Sequence, residues 1–230
     1  MTNSPNKRRK SSRPSPSKNY FPAFLDITEK KCVVIGGGRV AERKCLALIR
    51  AGARVVVISP QLTHRLESLK RKGLIRQIAR HYRRGDMRSA FVAIAATDSR
   101  EINLKVVADA AKHRVLLNVV DNPPLCNFIV PSVLRRGPLT IAISTGGVSP
   151  AMARTIRKNL EGLYGTELSK YLRLLNTIRT KAMQDIPDKR KRAALLKGLA
   201  SQEIVRMLFR KGFRQTKRAA LFSLHNVTPH

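Results

Sequence analysis

Lys31-Cys32-Val33-Val34-Ile35-Gly36-Gly37-Gly38-Arg39-Val40-Ala41 is the stretch that decides the fold. Residues 32–35 form a short apolar run of the kind that fills a strand buried on both faces. Three glycines break it. A helical pattern follows over 40–51, with Ala41, Cys45, Leu48 and Ile49 at helical spacing and Gly52 placed to stop it. Val55-Val56-Val57-Ile58 then reads as a second buried strand. Strand, glycine turn, helix and strand in that order predict a βαβ unit, whose two strands run parallel.

The alternation continues downstream. Residues 66–72 look helical, 74–75 begin a weaker strand and 91–95 form a strong one. Thr97-Asp98-Ser99 supplies a turn and an N-cap for a helix over 101–113, with Ile102, Val106 and Ala110 on one face. Residues 115–120 are another buried strand. The pattern predicts an α/β fold with a Rossmann-type, doubly wound parallel sheet. After Asp121 the order changes, because Pro123 and Pro124 cannot continue a central strand. Residues 128–130 and 139–143 read as two further strands joined by Arg136-Gly137-Pro138. Ser149 as N-cap and Pro150 as first helical residue predict a helix over 151–163. Residues 165–224 are helical and basic, with a break at Ile186-Pro187. The expected divisions are a disordered basic arm over 1–19, a nucleotide-binding domain over 20–127, a linking region over 128–164 and a basic helical domain over 165–230.

Lys and Arg number 46 against 14 Asp and Glu, a formal charge of +32. A field of that sign attracts polyanions, nucleic acid and small polycarboxylates alike, and says nothing about fold. Nucleic-acid binding is expected to be non-specific at most. No apolar run is long enough for a bilayer, and the basic, Ser- and Pro-rich N-terminus has no apolar core of a secretory signal. A cytoplasmic protein is therefore expected, without membrane attachment. Cys32, Cys45 and Cys126 are odd in number and lack metal spacing, so neither a disulfide framework nor a metal site is expected. His113 reads as the end of a helix and Cys126 as a packing residue.

Gly36-x-Gly38-x-x-Ala41 fits the dinucleotide-binding fingerprint, and its strand and helix flanks are the required ones. Gly36 permits the tight turn, Gly38 lets a pyrophosphate approach the backbone, and Ala41 lets the helix pack on the strand. The N-terminus of that helix then faces the phosphates. Gly36, Gly37, Gly38, Arg39, Val40 and Ala41 are the expected cofactor residues, with Ser59, Pro60, Gln61 and Thr97 at neighbouring strand ends. The usual ribose-binding acid is missing from the end of the second strand, where Ser59-Pro60-Gln61 stands, so the residues alone leave NAD and NADP open. Asp121 ends a strand where catalytic groups gather in open α/β sheets. It reads either as an acid/base group or as a cap for the turn before Pro123.

Taken together, five segments resemble the siroheme synthase N-terminal module, the family of precorrin-2 dehydrogenases. They are Gly36 with the residues to Lys44, Ala95-Ala96-Thr97-Asp98, Asn118-Val119-Val120-Asp121, Phe128-Ile129-Val130-Pro131-Ser132, and the run from Ser144 through Gly146-Gly147 to Arg154. The resemblance spans roughly residues 20–164. It implies NAD-dependent oxidation of precorrin-2 to sirohydrochlorin, followed in some members by Fe²⁺ insertion. It implies that Asp121 is the catalytic base. Asn118, Thr145, Gly146, Gly147, Ser149 and Arg154 become substrate-binding residues, with Arg135, Arg136, Arg157 and Lys158 nearby to meet the substrate's carboxylates. Residues 128–164 take the place of the family's dimerisation region, which implies a homodimer. Thr145 stands where some relatives have serine. The rival reading is a nucleotide-sensing regulatory module whose basic tails bind a polyanion.

Overall fold

Strand β1 (Lys31–Ile35) is the centre of the sheet because nearly all of it is apolar and nearly all of it is buried. The computed structural model describes residues 18–227 and divides the chain into two compact units meeting at Val130 and Pro131. In the first unit β1 is flanked by β2 (Arg54–Ile58) and β4 (Val92–Ala95). The outer strands are β3 (Ile75–Ile78) and β5 (Leu116–Val119), which gives the all-parallel order β3-β2-β1-β4-β5. Helices α1 (Arg39–Arg50), α2 (His64–Arg71) and α3 (Arg100–His113) make the crossovers. Cys32 and Val34 enter one core with Ala41, Cys45 and Leu48 of α1, while Val33 and Ile35 enter the other with Val106 and Ala110 of α3. Two covered faces explain the unbroken apolar run that predicted the strand. Burial pushes the thiols of Cys32 and Cys45 up to about 11 and about 12, which leaves them protonated packing groups.

The helix ends follow their local chemistry. Gly52, at φ +78, closes α1 through its N–H to the Ile49 carbonyl at 2.9 Å. Thr63 and Ser99 cap α2 and α3 by accepting the N–H groups of Leu66 and Ile102. His113 ends α3 as expected, and Arg114 takes the left-handed conformation beyond it.

The expected strand over 128–130 is absent. The competing structure is Asn127, which occupies the free edge of β5 as a single residue in place of a strand. Its Oδ1 accepts Leu117 N–H at 2.6 Å, its Nδ2 donates to the Val115 carbonyl at 3.0 Å, and its own N–H donates to the Leu117 carbonyl at 3.0 Å. With those groups taken, 128–130 has little ladder to join, and Pro131 has no N–H to offer. The strand starts later, as β6 (Ser132–Arg136).

The second unit begins with that strand, paired antiparallel with β7 (Leu139–Ile143) through the Gly137-Pro138 turn. Helix α4 (Pro150–Leu163) follows, capped by Ser149, whose Oγ accepts Met152 N–H at 3.1 Å. The remainder is three helices: α5 (Thr166–Asp185), α6 (Lys189–Leu199) and α7 (Gln202–His225). Sequence reading found the break at Ile186-Pro187 but not two others. Ser201 caps a new helix, and Gly212 at φ +75 kinks α7. The Phe213 N–H freed by that kink is taken by Glu167 Oε2 of α5 at 2.9 Å. Tyr171, Ile178, Leu199 and Leu208 are central to the core of these helices. No helix among the described residues is long and apolar enough to cross a membrane.

The loop between β3 and β4 is tied to α3 by one buried carboxylate. Asp109 accepts the Tyr82 hydroxyl, accepts Gly85 N–H at 2.8 Å and lies 3.3 Å from His113 Nε2. Burial, then the bond to Asp109, pushes the Tyr82 hydroxyl well above its ordinary value, so it remains a donor. Tyr82→Phe removes that donor and leaves a buried carboxylate short of a partner, so it should cost about 1–3 kcal/mol. Urea unfolding measures this; a loss below about 0.5 kcal/mol would show that Asp109 does not hold the loop.

Candidate functional site

Gly36 and Gly37 carry the chain over the ends of three strands with no room for a side chain. Gly36 takes φ +116 and donates its N–H to the Ile58 carbonyl at 3.0 Å. A Cβ on it would stand 2.2 Å from the Ala96 carbonyl oxygen. A Cβ on Gly37 would stand 1.9 Å from the Gln61 carbonyl oxygen, and the Gly37 carbonyl accepts Thr63 N–H at 3.0 Å. Gly38 is the opposite case: a Cβ there would meet nothing within 4 Å. It is the N-cap of α1 and has no side chain to cap the first N–H groups, which stay available to a ligand.

The turn forms one wall of a cleft of about 450 Å³. Gly36, Gly37, Gly38, Ser59, Pro60, Gln61 and Thr97 all line it, so seven of the ten residues expected to meet a cofactor converge. The other three do not line it. Arg39 is exposed, Val40 is half-buried, and Ala41 is buried beneath α1, where its small side chain lets the helix approach the sheet. The Ser59 hydroxyl donates to the Gln61 carbonyl at 2.7 Å and so braces the loop that Gly37 contacts. Asp98, expected in the turn before α3, also lines it, as do three residues not singled out in the sequence: Thr63, His81 and Tyr82. Thr63 was legible as an N-cap three residues before Leu66; its hydroxyl also donates to Glu42 Oε2 of α1 at 2.7 Å. His81 and Tyr82 arrive on the loop held by Asp109, which nothing local in the sequence marks. Among the described residues, neither Lys nor Arg lines the cleft. Arg80 is occupied by Asp86 at 2.7 Å, and its guanidinium holds the Asp86 carboxyl below the usual carboxylate range.

Asp121 lies one turn beyond the cleft. Val120 N–H donates to the Ala95 carbonyl at 2.9 Å, so the end of β5 stays bound to the end of β4, from which Ala96 and Thr97 enter the cleft wall. The next residue, Asp121, is exposed and left-handed at φ +56, a conformation Asp tolerates better than most residues. Among the described residues its carboxylate makes no hydrogen bond. Lys44 of α1 lies within its field; burial and Arg43 lower the Lys44 ammonium below its ordinary value, and Asp121 opposes that shift. Asn118 is buried, with Nδ2 donating to the Phe128 carbonyl at 3.2 Å. Cys126 packs as expected, its thiol pushed up by burial.

The expected substrate residues of the second unit form one loop and the helix it starts. Gly146 and Gly147 have positive φ, Ser149 N–H donates to Thr145 Oγ1 at 3.0 Å, and Ser149 caps α4. Arg154 and Lys158 are exposed on α4 and Arg135 on β6. Arg157 is paired with Glu161, and Arg136 Nε donates to the Tyr164 carbonyl at 3.1 Å. Among the described residues no group of three or more His, Cys, Asp or Glu is placed to hold a metal ion.

Comparison with known proteins agrees with this division. An NAD(P)-binding family model matches residues 23–132, and the model of the sirohaem biosynthesis protein central region matches 136–163. The siroheme synthase of Nitrosomonas europaea is 40% identical over 167 residues, which is 72% of this chain and 35% of that protein. The siroheme synthase of Actinobacillus pleuropneumoniae serotype 3 is 33% identical over 212 residues, 92% of this chain and 44% of that one. The chain thus spans less than half the length of these curated relatives. The solved structure of SirC, a precorrin-2 dehydrogenase, superposes with a TM-score of 0.78 over 90% of this chain and all of its own, at 23% identity. That likeness shows the fold.

The cleft has a nicotinamide dinucleotide's requirements: an open Gly38, an uncapped helix start and room beside the strand ends. Two substitutions separate structure from binding. Gly37→Ala drives a methyl into backbone and should lower both Tm and dinucleotide affinity. Gly38→Ala meets only open space, so it should leave Tm unchanged while weakening dinucleotide binding by about tenfold, or roughly 1.4 kcal/mol. Calorimetric titration checks both; unchanged binding in Gly38→Ala would remove the dinucleotide from this wall.

Proposed function

We propose that this chain, which belongs to the family of siroheme synthase N-terminal modules, oxidises precorrin-2 to sirohydrochlorin with NAD⁺ as acceptor. The observation that carries the reading is the joining of cleft and carboxylate at one end of the sheet: Val120, next to Asp121, is hydrogen-bonded to Ala95, next to the cleft. A nucleotide sensor needs the cleft but has no use for an exposed carboxylate on the adjacent strand end.

The oxidation removes a hydride and a proton from the macrocycle. NAD⁺, when bound, supplies the hydride acceptor. The chain's own groups do the rest. Gly36 and Gly37 hold the strand ends at the spacing that leaves the first N–H groups of α1 open to a pyrophosphate. Ser59, Pro60 and Gln61 line the cleft where a ribose-binding acid is usual, and among the described residues no guanidinium lines it to receive a 2′-phosphate, which favours NAD over NADP. Asp121 accepts the proton, since its carboxylate is exposed and, among the described residues, makes no hydrogen bond. Arg154, Lys158 and Arg135 are exposed and, among the described residues, paired with no carboxylate, and they are assigned to the substrate's carboxylates.

The homodimer belongs to the same proposal. Val148, Met152 and Leu163 are exposed around α4 at 84%, 54% and 64%, an apolar surface suited to burial against a second copy. Sedimentation velocity of the purified chain reads this directly.

The test of function is anaerobic incubation with precorrin-2 and NAD⁺, following sirohydrochlorin absorbance. The chain should turn over, and Asp121→Asn should lose about 10²–10⁴-fold in kcat while binding NAD⁺ within about twofold of the parent. Full activity in Asp121→Asn would exclude it as the base; no turnover by the folded parent would favour the sensor.

A further inference from the structure

We infer that Lys18 is a positioning residue for the Asp121 turn: its ammonium locks the carbonyl groups at the far end of the turn that presents the carboxylate. The inference rests on the reading of Asp121 as proton acceptor.

The turn reverses the chain in two steps. Asn122 N–H donates to the Val119 carbonyl at 3.3 Å. A single 3-10 turn, Pro123–Leu125, then closes with Leu125 N–H on the Asn122 carbonyl and Cys126 N–H on the Pro123 carbonyl, both at 3.1 Å. A helical turn this short leaves carbonyls unsatisfied at its C-terminal end, and its two prolines supply no donors. The carbonyls of Pro124 and Cys126 are in that position. Lys18 Nζ donates to them at 2.9 Å and 2.8 Å, across more than a hundred residues of sequence. A lysine at the C-terminal end of a helical turn also faces the negative end of its dipole.

Cys126 fixes the same turn from inside. It is 3% exposed, its Sγ accepts Val119 N–H at 3.1 Å, and its proton has the Val119 carbonyl at 3.2 Å and the Asn122 carbonyl at 3.3 Å as acceptors. Asp121 stands between these attachments with φ +56. A non-glycine residue keeps such a conformation only where its surroundings fix it. Cys126 ties the start of the turn to its end, and Lys18 ties the end to the segment that precedes the sheet. Lys18 lies ahead of residues 23–132, so the outer attachment comes from outside the NAD(P)-binding match. Loss of Lys18 should therefore loosen the carboxylate without touching the cleft.

The test uses the full chain with Lys18→Met, which keeps length without the donor, and Lys18→Arg, which keeps the donor. Amide hydrogen exchange at Asn122, Leu125 and Cys126 reports the turn independently of turnover. Lys18→Met should speed that exchange by about tenfold and lower kcat by about tenfold, with KM for NAD⁺ and Tm unchanged. Lys18→Arg should restore both. Unchanged exchange in Lys18→Met overturns the attachment, and faster exchange with unchanged kcat overturns its positioning role. Failure of the Asp121 reading shows separately, as full turnover in Asp121→Asn.

Discussion

Two backbone contacts that leave no room for a Cβ set the terms for the first unit: Gly36 against the Ala96 carbonyl, and Gly37 against the Gln61 carbonyl. They draw the loops that follow β1, β2 and β4 into one surface. The cost of such contacts is that the chain can place only glycine there. The gain is a wall of backbone whose next residue, Gly38, opens on the cleft. The brace is redundant: Thr63 N–H holds the Gly37 carbonyl, the Thr63 hydroxyl holds Glu42 of α1, and the Ser59 hydroxyl holds the Gln61 carbonyl. A loop fixed by this many bonds needs little reorganisation when a ligand arrives, which is what a preorganised phosphate site requires.

Much of this was legible in the sequence, for identifiable reasons. Residues 31–58 read correctly because burial on both faces writes an apolar run and the glycine turn has a fixed chemistry. Ser99 and Ser149 read correctly because capping is local. The strand expected at 128–130 failed because a side chain, that of Asn127, took the hydrogen-bonding groups of β5 that a strand would have used. The kink at Gly212 was hidden inside an amphipathic pattern, and Glu167, which takes the freed Phe213 N–H, lies 46 residues from Phe213. In the cleft, the glycines and Ser59-Pro60-Gln61 were visible as residues at strand ends. His81 and Tyr82 were not, because their loop is held by the buried carboxylate of Asp109 on α3. Lys18 was read as the edge of a basic arm; its two carbonyl partners are set by the tertiary fold. Residues 1–17 of that arm lie outside the described residues.

The charge has its own geography. The formal +32 of the chain is not a property of the cleft, where among the described residues neither Lys nor Arg lines the wall. Many of the cations lie on α4, α6 and α7, most of them exposed. Arg80, Arg157 and Arg136 are engaged by Asp86, Glu161 and the Tyr164 carbonyl, whereas exposed Arg154 has no such partner among the described residues. The cleft wall instead presents backbone and small polar groups such as Ser59 and Thr97.

The most direct measurement is hydrogen exchange across the chain with and without NAD⁺. The account predicts protection at residues 36–41, 59–63 and 96–98, with the helices of the second unit unchanged. Protection confined to the second unit, with the glycine turn exchanging as before, would contradict it.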